Sequence, residues 1–170
     1  MFMRCRLVIL GGLFALLLPA CGFHLRGQTN LPATVSVVYI KADRRADDRP
    51  SELPAVLRRA LEDSGATVTD APDQAKAIIE IHNENITKRT LAASDSDEVR
   101  SNTLVYTVDY SLTLADGTPL IPRESAGASQ DFLYQEADIL GRAEGERLIF
   151  RDMLATVSNS IILRMQAAAR

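Results

Sequence analysis

The chain has 170 residues, of which 46% are hydrophobic and 24% charged, and a formal net charge of −3. This composition predicts one globular domain and excludes a polytopic membrane protein, a collagen and a disordered polymer. The acidic balance also argues against a nucleic-acid partner, because nucleic-acid-binding domains normally carry a basic excess.

A short apolar segment near the N-terminus predicts export. Two arginines precede an uncharged apolar run at residues 7–18, which is too short to span a bilayer and has the length of a signal-peptide core. The following Leu-Pro-Ala-Cys, which ends at Cys21, resembles the lipobox of bacterial lipoproteins. We therefore expect residues 1–20 to be a lipoprotein signal peptide, and residues 21–170 to form a single periplasmic domain anchored through a lipidated, palmitate-bearing Cys21.

The cysteine content fits this expectation. Cys5 lies inside the expected signal, so Cys21 would be the sole cysteine of the exported chain and no internal disulfide forms. Three acyl chains would hold it permanently, since each buried methylene contributes roughly 0.8 kcal/mol. The residue after Cys21 is Gly22 and not the aspartate that typically retains such lipoproteins in the inner membrane. We therefore expect the protein to be anchored on the periplasmic side of the outer membrane. An ordinary signal peptide followed by an incidental cysteine is the alternative.

Hydrophobic periodicity predicts six main elements in the order β-α-β-β-β-α. They are a strand at 31–40, a helix at 51–65 with Ser51 as its cap, strands at 76–90, 104–114 and 124–134, and a helix at 141–169. Residues 66–70 are compatible with one more short strand.

The clearest signal is an alternation over residues 104–114, where six apolar side chains recur at period two. This pattern predicts a strand with one face on a core and the other in water. In the preceding strand, Glu80, His82 and Glu84 are expected on the polar face. The fold class is therefore α+β: a two-layer sandwich with two helices packed on one face of a mostly antiparallel four-stranded sheet.

Residues that would indicate catalysis or metal binding are scarce. The expected mature chain holds only His24 and His82, and no His-Cys-Asp cluster has metal-ligand spacing. No G-x-S-x-G motif or glycine-rich phosphate loop occurs. The acidic residues at 94–98 are typical of a solvated hairpin tip. We expect no enzymatic activity, no metal and no cofactor; an enzymatic lipoprotein would need a deep pocket with perturbed titratable groups.

The residues that follow the lipobox carry a family resemblance. From Cys21 to Gly27 the sequence is C-G-F-H-L-R-G, which resembles the start of the mature proteins of the LptE family of lipopolysaccharide-assembly outer-membrane lipoproteins. The similarity covers essentially all of the expected mature chain. Further landmarks are the helix at 53–61, Val105-Tyr106, Asp116-Gly117-x-Pro119-Leu120, Phe132-Leu133-Tyr134, Leu140 and Arg151-Asp152-Met153.

The resemblance implies a function and a set of partners. LptE-like proteins are two-layer α/β sandwiches that sit as a plug inside the β-barrel of LptD and assist its assembly. Together the pair places lipopolysaccharide in the outer leaflet, and the LptE-like protein itself binds lipopolysaccharide. The implied partners are therefore LptD, lipopolysaccharide and, through the N-terminal lipid, the outer membrane.

The resemblance also points to candidate ligand-binding residues. Family members are thought to use basic residues near the tip of the long hairpin and on the following strand. Arg100 lies near the first position, with Lys88 and Arg89 across the hairpin, and Arg123 is the basic residue nearest to the second. For each of them the alternative is a solvated surface charge. At the level of the whole protein, the alternative is a pilotin-like structural lipoprotein that chaperones a barrel or secretin without binding glycolipid.

Overall fold

The computed structural model describes residues 31–42, 51–93, 99–135 and 139–170. The predicted signal peptide, the lipidation of Cys21 and the acidic tip at 94–98 lie outside these residues. Two short 3-10 turns accompany seven regular elements. The elements are β1 (Val37–Ala42), α1 (Leu53–Asp63), β2 (Thr67–Thr69), β3 (Ala77–Ala93), β4 (Val99–Leu114), β5 (Pro119–Gln135) and α2 (Ile139–Ala168).

The sheet is five-stranded and mixed, with the strand order β2-β1-β3-β4-β5. The α+β class is confirmed, whereas the expected four mostly antiparallel strands were wrong in detail. β1 pairs in parallel with both β2 and β3, while β3, β4 and β5 form an antiparallel meander. The parallel part arises because α1 carries the chain from β1 back to the same end of the sheet, so that β2 runs in the direction of β1.

β5 begins at Pro119, five residues before the predicted start. Two prolines, Pro119 and Pro122, lie in this first part of the strand. They are tolerated because β5 is an edge strand, where a missing N–H on the outer side breaks no ladder hydrogen bond.

Helix α1 begins and ends as its sequence predicts. The Ser51 hydroxyl accepts a hydrogen bond from the Leu53 N–H at 3.1 Å. At the other end Gly65 has φ +83°, and the Ala66 N–H donates to the Leu61 carbonyl at 3.0 Å. This is a Schellman ending, in which a glycine takes the left-handed conformation at no steric cost. Leu53, Leu57 and Leu61, one turn apart, are fully buried.

Helix α2 follows β5 closely and runs back along the sheet for 30 residues, about 45 Å. Its buried stripe packs with α1 and one face of the sheet into a single hydrophobic core. The stripe contains Met153, Leu154, Val157, Ile161, Ile162 and Met165. Both helices therefore lie on the same side, and the opposite face carries no helix from the described part of the chain.

The sheet has two parts along its length. The base is the five-stranded part, in which β1 and β2 lie beside residues 77–81 of β3. The extension is the three-stranded part formed by residues 83–93, 99–109 and 125–135, which continues about 35 Å beyond the end of β1. A register shift in β3 between Ile81 and Asn83 marks the boundary.

This bulge corrects one prediction about the strand faces. The alternation placed Glu84 on the polar face with Glu80 and His82, but the inserted residue reverses the pattern. Glu84 points to the helix side, where it is buried and 7% exposed. A carboxylate therefore enters the core layer of the extension.

Candidate functional site

The open face of the sheet, which lies opposite the helices, is a long polar surface. In β4 the predicted alternation is confirmed, because Tyr106, Val108 and Tyr110 are buried and Thr107 is exposed. The open face of the extension carries hydroxyl, amide and charged groups. These are Asn83, Asn85, Thr87, Arg89, Thr103, Thr107, Asp109, Ser125, Ser129 and Asp131.

Charges near the base on this face occur in opposed pairs. Lys41 Nζ lies 2.7 Å from Glu80 Oε1, and Arg123 Nη2 lies 3.2 Å from Asp109 Oδ2. The pKa of Asp109 is held below its usual range, first by the hydrogen bond that Ser125 donates and then by that of Arg123. Since both acids are paired, this region is polar but close to neutral.

The four candidate basic residues do not form one cluster. Arg89 lies directly opposite Thr103 on β4, and Arg100 lies three residues before Thr103 on the same strand. Their backbones are therefore about 10 Å apart at the far end of the extension. Arg100 belongs to β4, opposite Ala93 and Tyr134.

Lys88 and Arg123 occupy different surroundings. Lys88 lies on the helix side of β3 and forms an ion pair with Glu146 of α2. Arg123 is bound to Asp109, nine residues along β4 from Arg100, which corresponds to about 30 Å. Arg123 is thus separated from the far end of the extension, where the strand register puts Arg89 in the row of Thr103 and Arg100 in the alternate row of Asn102.

Among the candidates whose side chains the structure describes, which do not include Arg100, Arg89 is the available cation. Its side chain is exposed on the open face, and no ion pair of Arg89 occurs among the described residues. A guanidinium group there can donate two parallel hydrogen bonds to a phosphate or carboxylate without first breaking an existing pair.

Sequence reasoning missed a polar layer beneath α2. The Tyr106 hydroxyl donates to Glu84 Oε2 at 2.7 Å, while Glu84 Oε1 is buried without a hydrogen-bond partner. Asn102, 1% exposed, has a buried Oδ1 that is likewise unpartnered. The phenol ring of Tyr106 packs edge-on against Phe150, with centroids 5.6 Å apart. Only the bulge makes Glu84 part of this layer, and no sequence signal announced the bulge.

A second polar contact, which is only partly buried, lies where β5 meets α2. Glu124 accepts hydrogen bonds from the Tyr110 hydroxyl at 2.6 Å and from Arg164 Nε at 3.0 Å. These contacts lower the pKa of Glu124, the Tyr110 bond being the larger cause, while burial raises the pKa of Tyr110 far above its ordinary value. The arrangement holds α2 on the edge strand and has no free nucleophile or base.

Two further observations concern the described residues only. Within them, no three or more His, Cys, Asp or Glu side chains are grouped so as to hold a metal ion. Nor does any helix there combine the length and apolar character needed to cross a membrane.

The solved structures that share this fold include bacterial lipoproteins. The NMR structure of the uncharacterized lipoprotein B of Nitrosomonas europaea superimposes with a TM-score of 0.68 at 28% identity, over 86% of this chain and 91% of that one. A minor lipoprotein of Acinetobacter baumannii gives 0.63 at 15% identity, over 80% and 94%. The rare lipoprotein B of Shewanella oneidensis gives 0.62 at 16% identity, over 77% and 94%. Comparison with curated protein sequences gives no match.

Fold and neighbours thus define a class, the small α+β lipoproteins of the Gram-negative envelope. Within this class, the model of the LptE lipopolysaccharide-assembly family matches residues 33–165. The match takes in all five strands, all of α1 and α2 as far as Met165, and the chain belongs to this family.

Proposed function

We propose that the protein is an outer-membrane lipoprotein that plugs the LptD β-barrel, assists its assembly, and binds lipopolysaccharide on its way to the outer leaflet. The proposal assigns it no catalytic activity. The observation that carries it is the open face of the sheet: a long, polar, helix-free surface in a chain of the LptE family.

A plug must match the chemistry of the lumen around it. The interior of a large outer-membrane barrel is polar and wet. Thr103, Thr107 and Asp109 offer hydroxyl and carboxylate groups to such a wall, and the ion pairs of Glu80 and Asp109 keep the surface near neutrality. The apolar face is already covered by α1 and α2, so an apolar partner surface is not required.

Lipopolysaccharide binding is assigned to the far end of the extension. Lipid A carries phosphate groups, which prefer arginine because its planar fork donates two parallel hydrogen bonds. Arg89 supplies an exposed guanidinium on the open face, and the backbone of Arg100 lies about 10 Å further along the hairpin, in the alternate row of β4. The same reasoning gives Arg123 a structural role, because its guanidinium already binds Asp109.

The test compares three charge reversals in the detergent-solubilised full-length protein. We expect Arg89→Glu and Arg100→Glu each to weaken binding to purified lipopolysaccharide about tenfold, the loss expected when one charge-assisted contact becomes a repulsion. Arg123→Glu is the matched control and should change binding less than twofold. Added salt should weaken binding by the unaltered protein, because exposed charges are screened.

The outcomes separate the alternatives. Unchanged binding in Arg100→Glu and Arg89→Glu would refute the site. If the unaltered protein binds no lipopolysaccharide but still co-purifies with a β-barrel, the protein is instead a pilotin-like lipoprotein that assists barrel assembly only.

A further inference from the structure

The two halves of α2 are attached to the sheet in different ways. From Met153 to Met165 the helix has a buried stripe, whose apolar side chains belong to the hydrophobic core. Between residues 143 and 150 no residue is buried, and Ile149 and Phe150 are only partly covered where they pack against the core. Because burial of apolar surface supplies most of the free energy that holds a helix on a sheet, residues 143–150 are held more weakly than the rest of α2.

The boundary between these two parts carries a feature that bends helices. The Thr156 hydroxyl donates a hydrogen bond to the carbonyl oxygen of Asp152 at 2.8 Å. A back-bond of this kind slightly destabilises a helix and favours a bend. Asp152 is exposed and directly precedes Met153, the first residue of the buried stripe. The weakly and the strongly held parts of α2 therefore meet at a hinge position.

The contacts between residues 143–150 and the extension lie at the rim of the core. They include the Lys88–Glu146 ion pair, the Tyr106–Phe150 edge contact at 5.6 Å, and the close approach of the Phe132 ring to Gly145. The ion pair contributes little, because its two side chains are 36% and 31% exposed and water screens surface pairs. Gly145 has no side chain to pack, and a glycine inside a helix lowers its stability relative to alanine.

Closure of this part of the helix leaves polar atoms buried without a partner. Asn102 lies opposite Phe132 in the register of β4 and β5, and therefore in the same helix-facing row. Its side chain is 1% exposed, and its Oδ1 accepts no hydrogen bond. Glu84 Oε1, beside the Tyr106 hydroxyl, is in the same condition. Opening would let water hydrate such atoms, which offsets part of the contact energy that is lost.

Opening at the hinge also changes the chemistry of the helix-facing side of the extension. It uncovers a strip formed by Leu104, Tyr106 and Phe132, which the closed helix keeps at most 9% exposed. It breaks the ion pair of Lys88 with Glu146, and Lys88 lies directly opposite Leu104. An apolar strip beside a cation is complementary to an acyl chain that lies close to a phosphate.

We infer that residues 143–150 form a cover that opens from the extension about Asp152, and that the strip beneath it binds an acyl chain of lipopolysaccharide, with Lys88 at a phosphate. The choice of ligand rests on the proposed function, whereas the opening does not. Because neighbouring residues of a strand point to opposite faces, Lys88 and Arg89 make separate contacts. The strip is thus a second contact with the same ligand, accessible only when the cover is open.

Thiol labelling tests the opening without any ligand. Leu104→Cys and Leu112→Cys place a cysteine on the same face of β4, the first beneath the cover and the second in the base, at positions that are 7% and 0% exposed. Both full-length variants are reconstituted in phospholipid nanodiscs and treated with a maleimide, and peptide mass spectrometry locates the label. Cysteine 104 should react about 100-fold faster than cysteine 112, since only the cover opens locally. Equal rates would overturn the cover.

Two further substitutions, each made in the Leu104→Cys protein, test the hinge and the ion pair. Thr156→Ala removes the back-bond and should slow labelling about fivefold. Ser160→Ala, one turn further along and also exposed, is the matched control and should leave the rate unchanged. Glu146→Gln should raise the rate about threefold, because it breaks a surface ion pair. A rate that neither Thr156→Ala nor Glu146→Gln alters would mean fraying from the helix end and would overturn the hinge.

Lipopolysaccharide tests the second part of the inference. Saturating lipopolysaccharide should slow the labelling of Leu104→Cys about tenfold, because the acyl chain covers the strip. Lipopolysaccharide stripped of its acyl chains is the matched control and should not slow it. Equal protection by both preparations would refute the acyl contact. If lipopolysaccharide binds but protects nothing, the strip is not its site and the proposed function stands; if it does not bind at all, both the ligand assigned here and lipopolysaccharide binding in the proposed function fail.

Discussion

The base and the extension of the sheet lie under the same helix but bury different side chains. In the base, the helix-facing positions of β3 and β4 hold Ile79, Ile81 and Leu112, all essentially inaccessible. In the extension, the helix side of the sheet also receives Glu84 and Asn102, each with a buried oxygen that lacks a partner. Unpartnered buried polar groups cost free energy, so the base carries more of the stability than the extension does.

The difference separates two roles within one sheet. The base is a closed α+β core, in which α1 and α2 cover a parallel–antiparallel sheet. Among the described residues, the extension has three strands, two edges without a neighbouring strand and an open polar face, and it holds the exposed cation Arg89. Binding surfaces are commonly found in the less stable part of a protein, since they must leave polar groups accessible.

The largest expected effect is on the free energy of unfolding, when an isoleucine in the base and an isoleucine in the extension are each replaced by alanine. Ile81 is 1% exposed in the base and Ile86 is 39% exposed in the extension. Ile81→Ala should cost about 3 kcal/mol of unfolding free energy by leaving a cavity, and Ile86→Ala less than about 1 kcal/mol. Chemical denaturation of both variants measures these losses of unfolding free energy. Equal losses would contradict the claim that the base carries more of the stability than the extension.

A smaller effect is expected from the two buried tyrosine hydroxyls. Tyr106→Phe removes the donor to the buried Glu84 and should cost about 2 kcal/mol. In Tyr110→Phe the carboxylate of Glu124 keeps its bond from Arg164, so a loss of about 1 kcal/mol is expected. A larger loss of unfolding free energy in Tyr110→Phe than in Tyr106→Phe would contradict the claim that the buried Glu84 depends more strongly on its tyrosine hydroxyl.

The smallest effect concerns pH. Tyr110 and Arg164 lower the pKa of Glu124 in the folded protein. The ionised carboxylate therefore stabilises the fold at pH values above 4.5, the ordinary pKa of a glutamate. This contribution is lost as the pH falls through the lowered value. Glu124→Gln should therefore reduce the fall in Tm between pH 7 and pH 4 by about 2 °C. An unchanged fall would mean that Glu124 does not contribute to the pH dependence.

Much of the architecture could be predicted from the sequence, because its strongest signals are local. The alternation in β4 and the Ser51 and Gly65 boundaries of α1 are determined by side-chain period and cap chemistry, and the structure confirms them. The parallel pairing of β1 was missed although a β-α-β order favours it, since the antiparallel hairpin signals were the more conspicuous.

The candidate site was less predictable, for a physical reason. A bulge of one residue reverses every later side chain of a strand, and the bulge beside Ile81 moved Glu84 into the core layer. Ion pairing also depends on tertiary contact: only the folded chain shows that Arg123 and Lys88 already have acidic partners while Arg89 has none among the described residues. From the sequence, a solvated surface charge was the alternative for each of the four basic residues; the structure distinguishes Arg89, Lys88 and Arg123 by their partners.

Co-purification tests the central proposal most directly. The full-length protein, tagged after Arg170, is extracted from its native envelope in mild detergent, and the eluate is resolved by size and mass. We predict a large β-barrel protein at one copy for each copy of this chain, identified as LptD. Recovery of the chain from the outer membrane without any barrel, while LptD is present in normal amount, would contradict the proposal.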